Sequence, residues 1–235
     1  HTPRLSSAAS DVYKRQLLAS CSFPGARHEI LGAGGYGYTV DAVEVVADVQ
    51  VDALRIRHVR LATADCAIGH LEHLELDGPI GPDATDQVDR MLSSAAHCQT
   101  PDGRSRARAV YLNSRGGSLF HGLLLADVLR FHEVETIVLG NQLCASACAV
   151  AFLGGLHRTI VGDGRLLFHA PFVVAEDGID CASPDQAHEF REHFVSLLGA
   201  AAGQQVSELA LRHCSETGGW IVGGRTARRF GITTR

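Results

Sequence analysis

Lysine is nearly missing from this chain. The 235 residues include one, Lys14, so a lysine base, a Schiff base or a phosphate-gripping ammonium has a single residue to draw on. Positive charge as a whole is short: 21 basic side chains face 26 acidic ones, a net charge of −5 at neutral pH. No dense Lys/Arg block appears, and Arg104, Arg106 and Arg108 read as a solvated approach to a strand. A nucleic-acid partner is therefore not expected. No apolar run approaches the ~20 residues of a membrane-spanning helix. What remains is a chain with 46% hydrophobic and 20% charged residues, which is globular in character and long enough for one large domain or two small ones.

Residues 1–16, HTPRLSSAASDVYKRQ, end in a hexamer that looks like the translation of a mosaic-end sequencing adapter, so this stretch is expected to be an assembly artefact and is set aside. Lys14 goes with it. The remainder has no lysine and 18 basic against 25 acidic side chains, a net charge of −7. Residues 17–27 read as the remnant of a signal peptide. Leu18-Ala19-Ser20-Cys21 resembles a bacterial lipobox, whose cysteine becomes lipid-modified after cleavage; a chance cysteine in a leader remnant is the other reading. Export to the periplasm, with a lipid anchor at Cys21, is the expectation. Seven cysteines suit an oxidising compartment, with Cys21 the odd one out and six left for disulfides whose connectivity stays open.

Residues 28–73 alternate apolar and polar side chains with much β-branching and read as a β-rich preamble. Gly32-Ala-Gly-Gly-Tyr-Gly37 matches a dinucleotide fingerprint in letters, but a strand rather than a helix follows, so it reads as a loop. Residues 74–235 form the main domain. Helices are expected over Thr85–Ala96, Leu119–Phe131, Ser146–Leu153, Asp185–Leu198 and Gln205–Cys214. Strands are expected at Arg108–Asn113, Glu135–Gly140 and Arg165–His169, where Pro171 cuts the last one off. Ser183-Pro-Asp-Gln186 is a capping box with proline at the first helical position. Strands alternating with helices imply an α/β fold on a largely parallel sheet.

Thirteen histidines and seven cysteines invite a metal, yet the spacings argue against one. His188 and His193 are five apart and diverge around a helix; His70 and His73 have no further ligand at fitting distance in sequence; Cys144 and Cys148 lack a second pair. Neither metal nor cofactor is expected. NQLCASACAV, Asn141 to Val150, sets Ser146 between Cys144 and Cys148 where a strand gives way to a helix. A serine nucleophile needs a base, amide donors for an oxyanion and a rigid mount. Ser146 on that turn, the Gly116-Gly117 turn after one strand and His169 after another could converge at one sheet edge.

Taken together, VYLNSRGGSLFHGLLLADVLRF, IVLGNQLCASACAVAFLGG and RLLFHAPF resemble the Clp protease proteolytic subunit and its ClpP/crotonase relatives, most of all small exported members with a C-x-S-A-C motif. The resemblance runs from about Leu74 to Ile232. It implies repeated ββα units with C-terminal helices and a serine peptidase or hydrolase. In it Ser146 is the nucleophile, His169 the base, and the Gly117 and Ala147 N–H groups the oxyanion hole. The family's catalytic acid falls near Gly218; Glu216 is the nearest carboxylate, with Asp177 and Asp180 as alternatives. Arg115 replaces the family's proline. With no native lysine, the Ser-Lys dyad of membrane-bound relatives is closed. The resemblance further implies a peptide or protein substrate and a homo-oligomer, while export removes the Clp ATPase as a partner. Two other readings stay open: a catalytically silent exported domain that binds peptide or a partner through the same cleft, and a crotonase-type acyl-CoA enzyme. Cys144 and Cys148 are expected to brace the serine, by packing or by disulfides to other cysteines.

Overall fold

The structure, a computed structural model, describes residues 28–31, 37–40, 42–63, 65–176 and 178–234. Cys21, most of the glycine-rich segment and Asp177 lie outside the described residues. Strands β1 (His28–Leu31) and β2 (Gly37–Val40) pair antiparallel. Next come β3 (Ala42–Val51), β4 (Leu54–Ala62), β5 (Leu71–Asp77), helix α1 (Ala84–Ser94), β6 (Ala109–Asn113), α2 (Leu119–Phe131) and β7 (Glu135–Val138). β8 (Leu143–Ala145), α3 (Ala147–Leu153), β9 (His157–Ile160) and β10 (Arg165–Phe168) follow. The chain then makes the hairpin β11 (Phe172–Ala175) and β12 (Gly178–Cys181), helices α4 (Pro184–Leu198) and α5 (Ala200–Leu211), β13 (Trp220–Gly223) and α6 (Gly224–Arg229).

The main sheet has the order β3-β4-β5-β6-β7-β9. β5, β6, β7 and β9 run parallel, each reached through a helical crossover or a longer connection, whereas β3 and β4 add an antiparallel flank. Of the preamble strands, β3 and β4 thus belong to the same sheet as the domain that follows them, whereas β1 and β2 form a two-stranded sheet of their own. The flank stays because β4 drives Leu54 and Ile56 into the core beside Leu74 and Leu76 of β5, and because Glu72 ties two β4 side chains, accepting from Arg60 at 2.8 Å and meeting His58 at 2.7 Å. A fully buried carboxylate is tolerated only when paired in this way. His73 is occupied structurally: its Nε2 meets Glu75 at 3.2 Å and its ring stands edge-on to Tyr111.

Helix limits follow the local chemistry. α2 spans the residues its apolar periodicity predicts. α4 starts at the expected capping box: Ser183 Oγ accepts from the Gln186 N–H at 3.3 Å, and the Gln186 side chain accepts from the Ser183 N–H at 2.9 Å. α5 begins earlier than expected, at Ala200, because Gly199 turns the chain through φ +83° and lets α5 fold back on α4. All seven residues of α3 are buried, so this short, alanine-rich helix is held by packing rather than by propensity.

A second, smaller sheet, β13-β10-β8, carries the site. Its support is aromatic: Phe168 packs on Phe194 and Trp220, and Trp220 on Phe230. Arg158 locks the C-terminal segment against β9, donating to the carbonyls of Ile232 (2.6 Å) and Gly155 (2.9 Å). Burial, reinforced by Arg130, lowers its guanidinium to about 10, still cationic at neutral pH. Arg158→Met should cost about 2–4 kcal/mol, since the carbonyls stay buried without donors. Differential scanning calorimetry should register this as a fall of roughly 5–15 °C in Tm.

Candidate active site

Three loops meet because three strands end together. β8 and β10 run parallel, with Ala145 in register with Leu167, so the residues that leave their C-terminal ends, Ser146 and His169, emerge at the same edge. Ser114, just past β6, bridges to Cys144: its N–H donates to the Leu143 carbonyl and its carbonyl accepts from the Ala145 N–H, both at 2.9 Å. The Gly116-Gly117 turn is thereby carried to that edge as well. Strand C-termini in α/β sheets are where such loops assemble a site.

Ser146 stands on a strained mount. Its φ of +56° and ψ of −123° lie in a region that costs a residue with a Cβ of order 1–3 kcal/mol and persists only when the surroundings enforce it. Here they do. The Ser146 N–H donates to the Leu167 carbonyl at 2.8 Å, and its own carbonyl accepts from Val150 N–H at 3.1 Å. Cys144 and Cys148 join in a disulfide around it. The expected brace is packing or disulfides to other cysteines; instead these cysteines bond to each other, closing a ring that contains Ser146. A sharp strand-to-helix turn of this kind lifts a side chain clear of the sheet.

Gly117 has φ +142° and forms a parallel bridge with Ile80. The flanking Gly116 carbonyl and Ser118 N–H bond Ile80, which leaves the Gly117 N–H without a partner among the described residues. Ala147 is the first residue of α3, so its N–H has no intrahelical acceptor. Ser146, Gly117 and His169 line one cavity of about 540 Å³, whose apolar walls include Leu119, Val150, Phe168 and Phe190.

His169 is half-buried and its Nδ1 lies 2.8 Å from the Ala170 carbonyl oxygen. A carbonyl only accepts, so Nδ1 carries the hydrogen and Nε2 keeps its lone pair. The ring packs against Phe172, 5.2 Å between centroids. Ser146 Oγ and His169 share the cavity without a direct hydrogen bond; such contacts commonly close only when substrate is bound.

No carboxylate touches His169 among the described residues. Glu216 is exposed in the turn after α5 and is not part of the cavity wall. Gly218, near which the resemblance places the family's acid, carries no side chain, and a Cβ there would meet Ser215 Oγ at 3.1 Å. Asp180 of β12 is the carboxylate that does line the cavity. It arrives there on the β11–β12 hairpin, an element missing from the expected strands although its β-branched residues, in FVVA and GIDC on either side of Glu-Asp, stand in the sequence. The hairpin roofs the site with Phe172, Val173 and Asp180 and is fastened by the disulfide Cys181–Cys214. With Cys66–Cys98, the six cysteines after Cys21 are all paired.

Comparison with known proteins agrees with this architecture. A family model described as Clp protease matches residues 87–220, a span that includes Gly117, Ser146 and His169. The chain is 28% identical over 130 residues to ATP-dependent Clp protease proteolytic subunit 3 of Rhodococcus jostii (strain RHA1), covering 54% of this chain and 63% of that protein. To subunit 1 of Thermobifida fusca (strain YX) it is 29% identical over 108 residues, 43% of this chain and 48% of that protein. The chain thus spans less than two thirds of the length of these relatives. Among solved structures, the 1510-N membrane-bound stomatin-specific protease superimposes with a TM-score of 0.53 at 16% identity, covering 68% of this chain and 75% of that one; its complex with a substrate peptide gives 0.53 at 17%. At such identity the likeness is one of fold, a mixed α/β arrangement with a mostly parallel sheet and C-terminal helices. By the span of the matching family model, and with its motifs on the loops described above, the chain belongs to the Clp protease family of serine peptidases.

Proposed function

We propose that this protein is an exported serine peptidase that uses a Ser146–His169 pair. The observation that carries the reading is a serine on an enforced, strained strand-to-helix turn sharing one cavity with a histidine whose Nε2 is free to accept a proton. Ser146 Oγ attacks a peptide carbonyl carbon while His169 Nε2 takes its proton. The oxyanion that forms is held by the N–H groups of Gly117 and Ala147. On collapse, His169 returns the proton to the leaving amine, and water, activated by the same nitrogen, then releases the acyl group. Nothing in these steps calls for a metal or a nucleotide.

Three disulfides support an oxidising compartment, in keeping with export and a lipid anchor at Cys21. There a Clp ATPase has no place, and the substrate is a peptide or an already unfolded segment. Self-association, as in other family members, is part of the proposal.

The test is labelling with a fluorophosphonate probe. Intact protein should gain one adduct, mapped by peptide mass spectrometry to Ser146, and folded Ser146→Ala protein should stay unlabelled. Folded wild-type protein that never labels would instead favour a silent domain that binds peptide through this cavity, a reading that the lack of a carboxylate on His169 would then explain.

A further inference from the structure

The absence of a carboxylate beside His169 raises the question of what holds the imidazole still. Its ring is framed from two sides. On one, Nδ1–H donates to the Ala170 carbonyl, and the same residue's N–H donates to the His213 carbonyl at 2.8 Å. On the other, the Phe172 ring packs against the imidazole. Phe172 stands opposite Cys181 in the hairpin register, and His213 directly precedes Cys214. The Pro171 carbonyl, between the two anchors, accepts from the Ala182 N–H at 2.9 Å, next to Cys181. The disulfide Cys181–Cys214 therefore joins the strand that positions Phe172 to the segment that positions Ala170. The covalent loop it closes runs over residues 181–214; residues 170–172 lie outside that loop and are held to its two ends by these hydrogen bonds and by the hairpin pairing.

We propose that the Cys181–Cys214 disulfide is the positioning element for His169, fixing its tautomer and orientation where a serine peptidase would otherwise use a carboxylate. This rests on the serine-peptidase reading above. The carbonyl selects the Nδ1–H tautomer, as an acid would. A carbonyl on a free loop would wander, and a lone hairpin is at best marginally stable; the cross-link restricts both. Cys181 is exposed and Cys214 half-exposed, whereas Cys144 and Cys148 are fully buried, so a soluble thiol reaches the former pair first.

A second disulfide supplies the control. Cys66–Cys98 spans 32 residues against 33 for Cys181–Cys214, so the two constrain the unfolded chain about equally, and neither Cys66 nor Cys98 lines the cavity. Cys181→Ser/Cys214→Ser and Cys66→Ser/Cys98→Ser should therefore lose similar Tm. Only the first should slow fluorophosphonate labelling of Ser146, by about ten- to a hundredfold in the maximal rate with the half-saturating probe concentration unchanged. Nitrogen-15 NMR of the imidazoles should show His169 protonated at Nδ1 in the wild type and the control pair, and averaging between tautomers in the first pair. Equal slowing in both pairs, or a fixed tautomer in the first, overturns the proposal. Wild-type protein that does not label, with a tautomer that still depends on Cys181–Cys214 alone, sinks the peptidase reading and keeps the positioning role. If the first pair does not fold, wild-type protein is titrated with dithiothreitol and the reduced fraction of Cys181 and Cys214 is read by mass. Labelling should then fall in step with that fraction, and labelling that ignores it refutes the role.

Discussion

His169→Ala should lower kcat by about ten-thousand- to a millionfold while KM changes little, because deleting the base of a serine hydrolase costs nearly as much as deleting its nucleophile. A serine hydroxyl is a weak nucleophile at neutral pH and needs a proton acceptor within reach. The cavity wall offers His169 as its one histidine and Asp180 as its one carboxylate, and an imidazole is ordinarily the stronger base of the two. The steady-state rate with a peptide substrate, or the labelling rate where no substrate is in hand, measures the loss. Glu216→Gln, by contrast, should stay within about twofold of wild type, as exposed residues outside a site usually do. If His169→Ala keeps a tenth of the wild-type rate, His169 is not the base; if Glu216→Gln falls as far as His169→Ala, the turn after α5 moves in catalysis and Glu216 is the missing acid.

The size of these effects depends on what a carbonyl can and cannot do. A catalytic carboxylate selects a tautomer, orients the ring and stabilises the imidazolium that forms during attack. The Ala170 carbonyl, 2.8 Å from Nδ1, does the first two. As a dipole rather than a charge it gives only part of the third, and charge-assisted hydrogen bonds are roughly twice as strong as neutral ones. On the proposed Ser146–His169 mechanism, turnover is therefore expected to be slower than with a full triad. A disulfide ring that contains Ser146, Cys144–Cys148, and a disulfide beside the hairpin that packs on His169, Cys181–Cys214, suit a proposed site that compensates with rigidity for what it lacks in charge.

How far the sequence reveals this site varies by residue. Ser146 is visible because Ala145 and Ala147 are small flanks at the junction of a strand and an apolar helix, and α2 is visible because thirteen residues of apolar periodicity fix it. The pairing of Cys144 with Cys148 is not visible: four residues apart on a helix they would be ordinary neighbours, and only the positive φ of Ser146 between them turns the chain into a closed ring. The hairpin escapes because Val173, Val174 and Ile179 are exposed, which removes the contrast between faces on which strand patterns rest. Glu216 is misleading for a related reason. Nearness in sequence to the family's acid position carries no information about a turn, and Gly219 presses that turn against Phe168.

Gly117→Ala should abolish labelling to within about a hundredth to a thousandth of the wild-type rate, the loss seen when one oxyanion donor is removed, and should lower Tm as well. The added methyl would lie 2.2 Å from the Ile80 carbonyl oxygen and 2.8 Å from the Ile80 nitrogen, at a φ of +142° that residues with a Cβ avoid. Both are backbone atoms in the bridge that anchors the turn, so the turn rather than a side chain must give way, and the Gly117 N–H leaves its aim at the cavity. Arg115→Ala separates aim from fold. Arg115 sits in the same turn, exposed and without a hydrogen bond among the described residues, so its loss should leave rate and Tm nearly unchanged. Circular dichroism melts followed by labelling at a temperature where both variants are folded give the comparison. A folded Gly117→Ala protein that labels at the wild-type rate would remove this amide from the oxyanion hole and leave Ala147 to hold the charge alone.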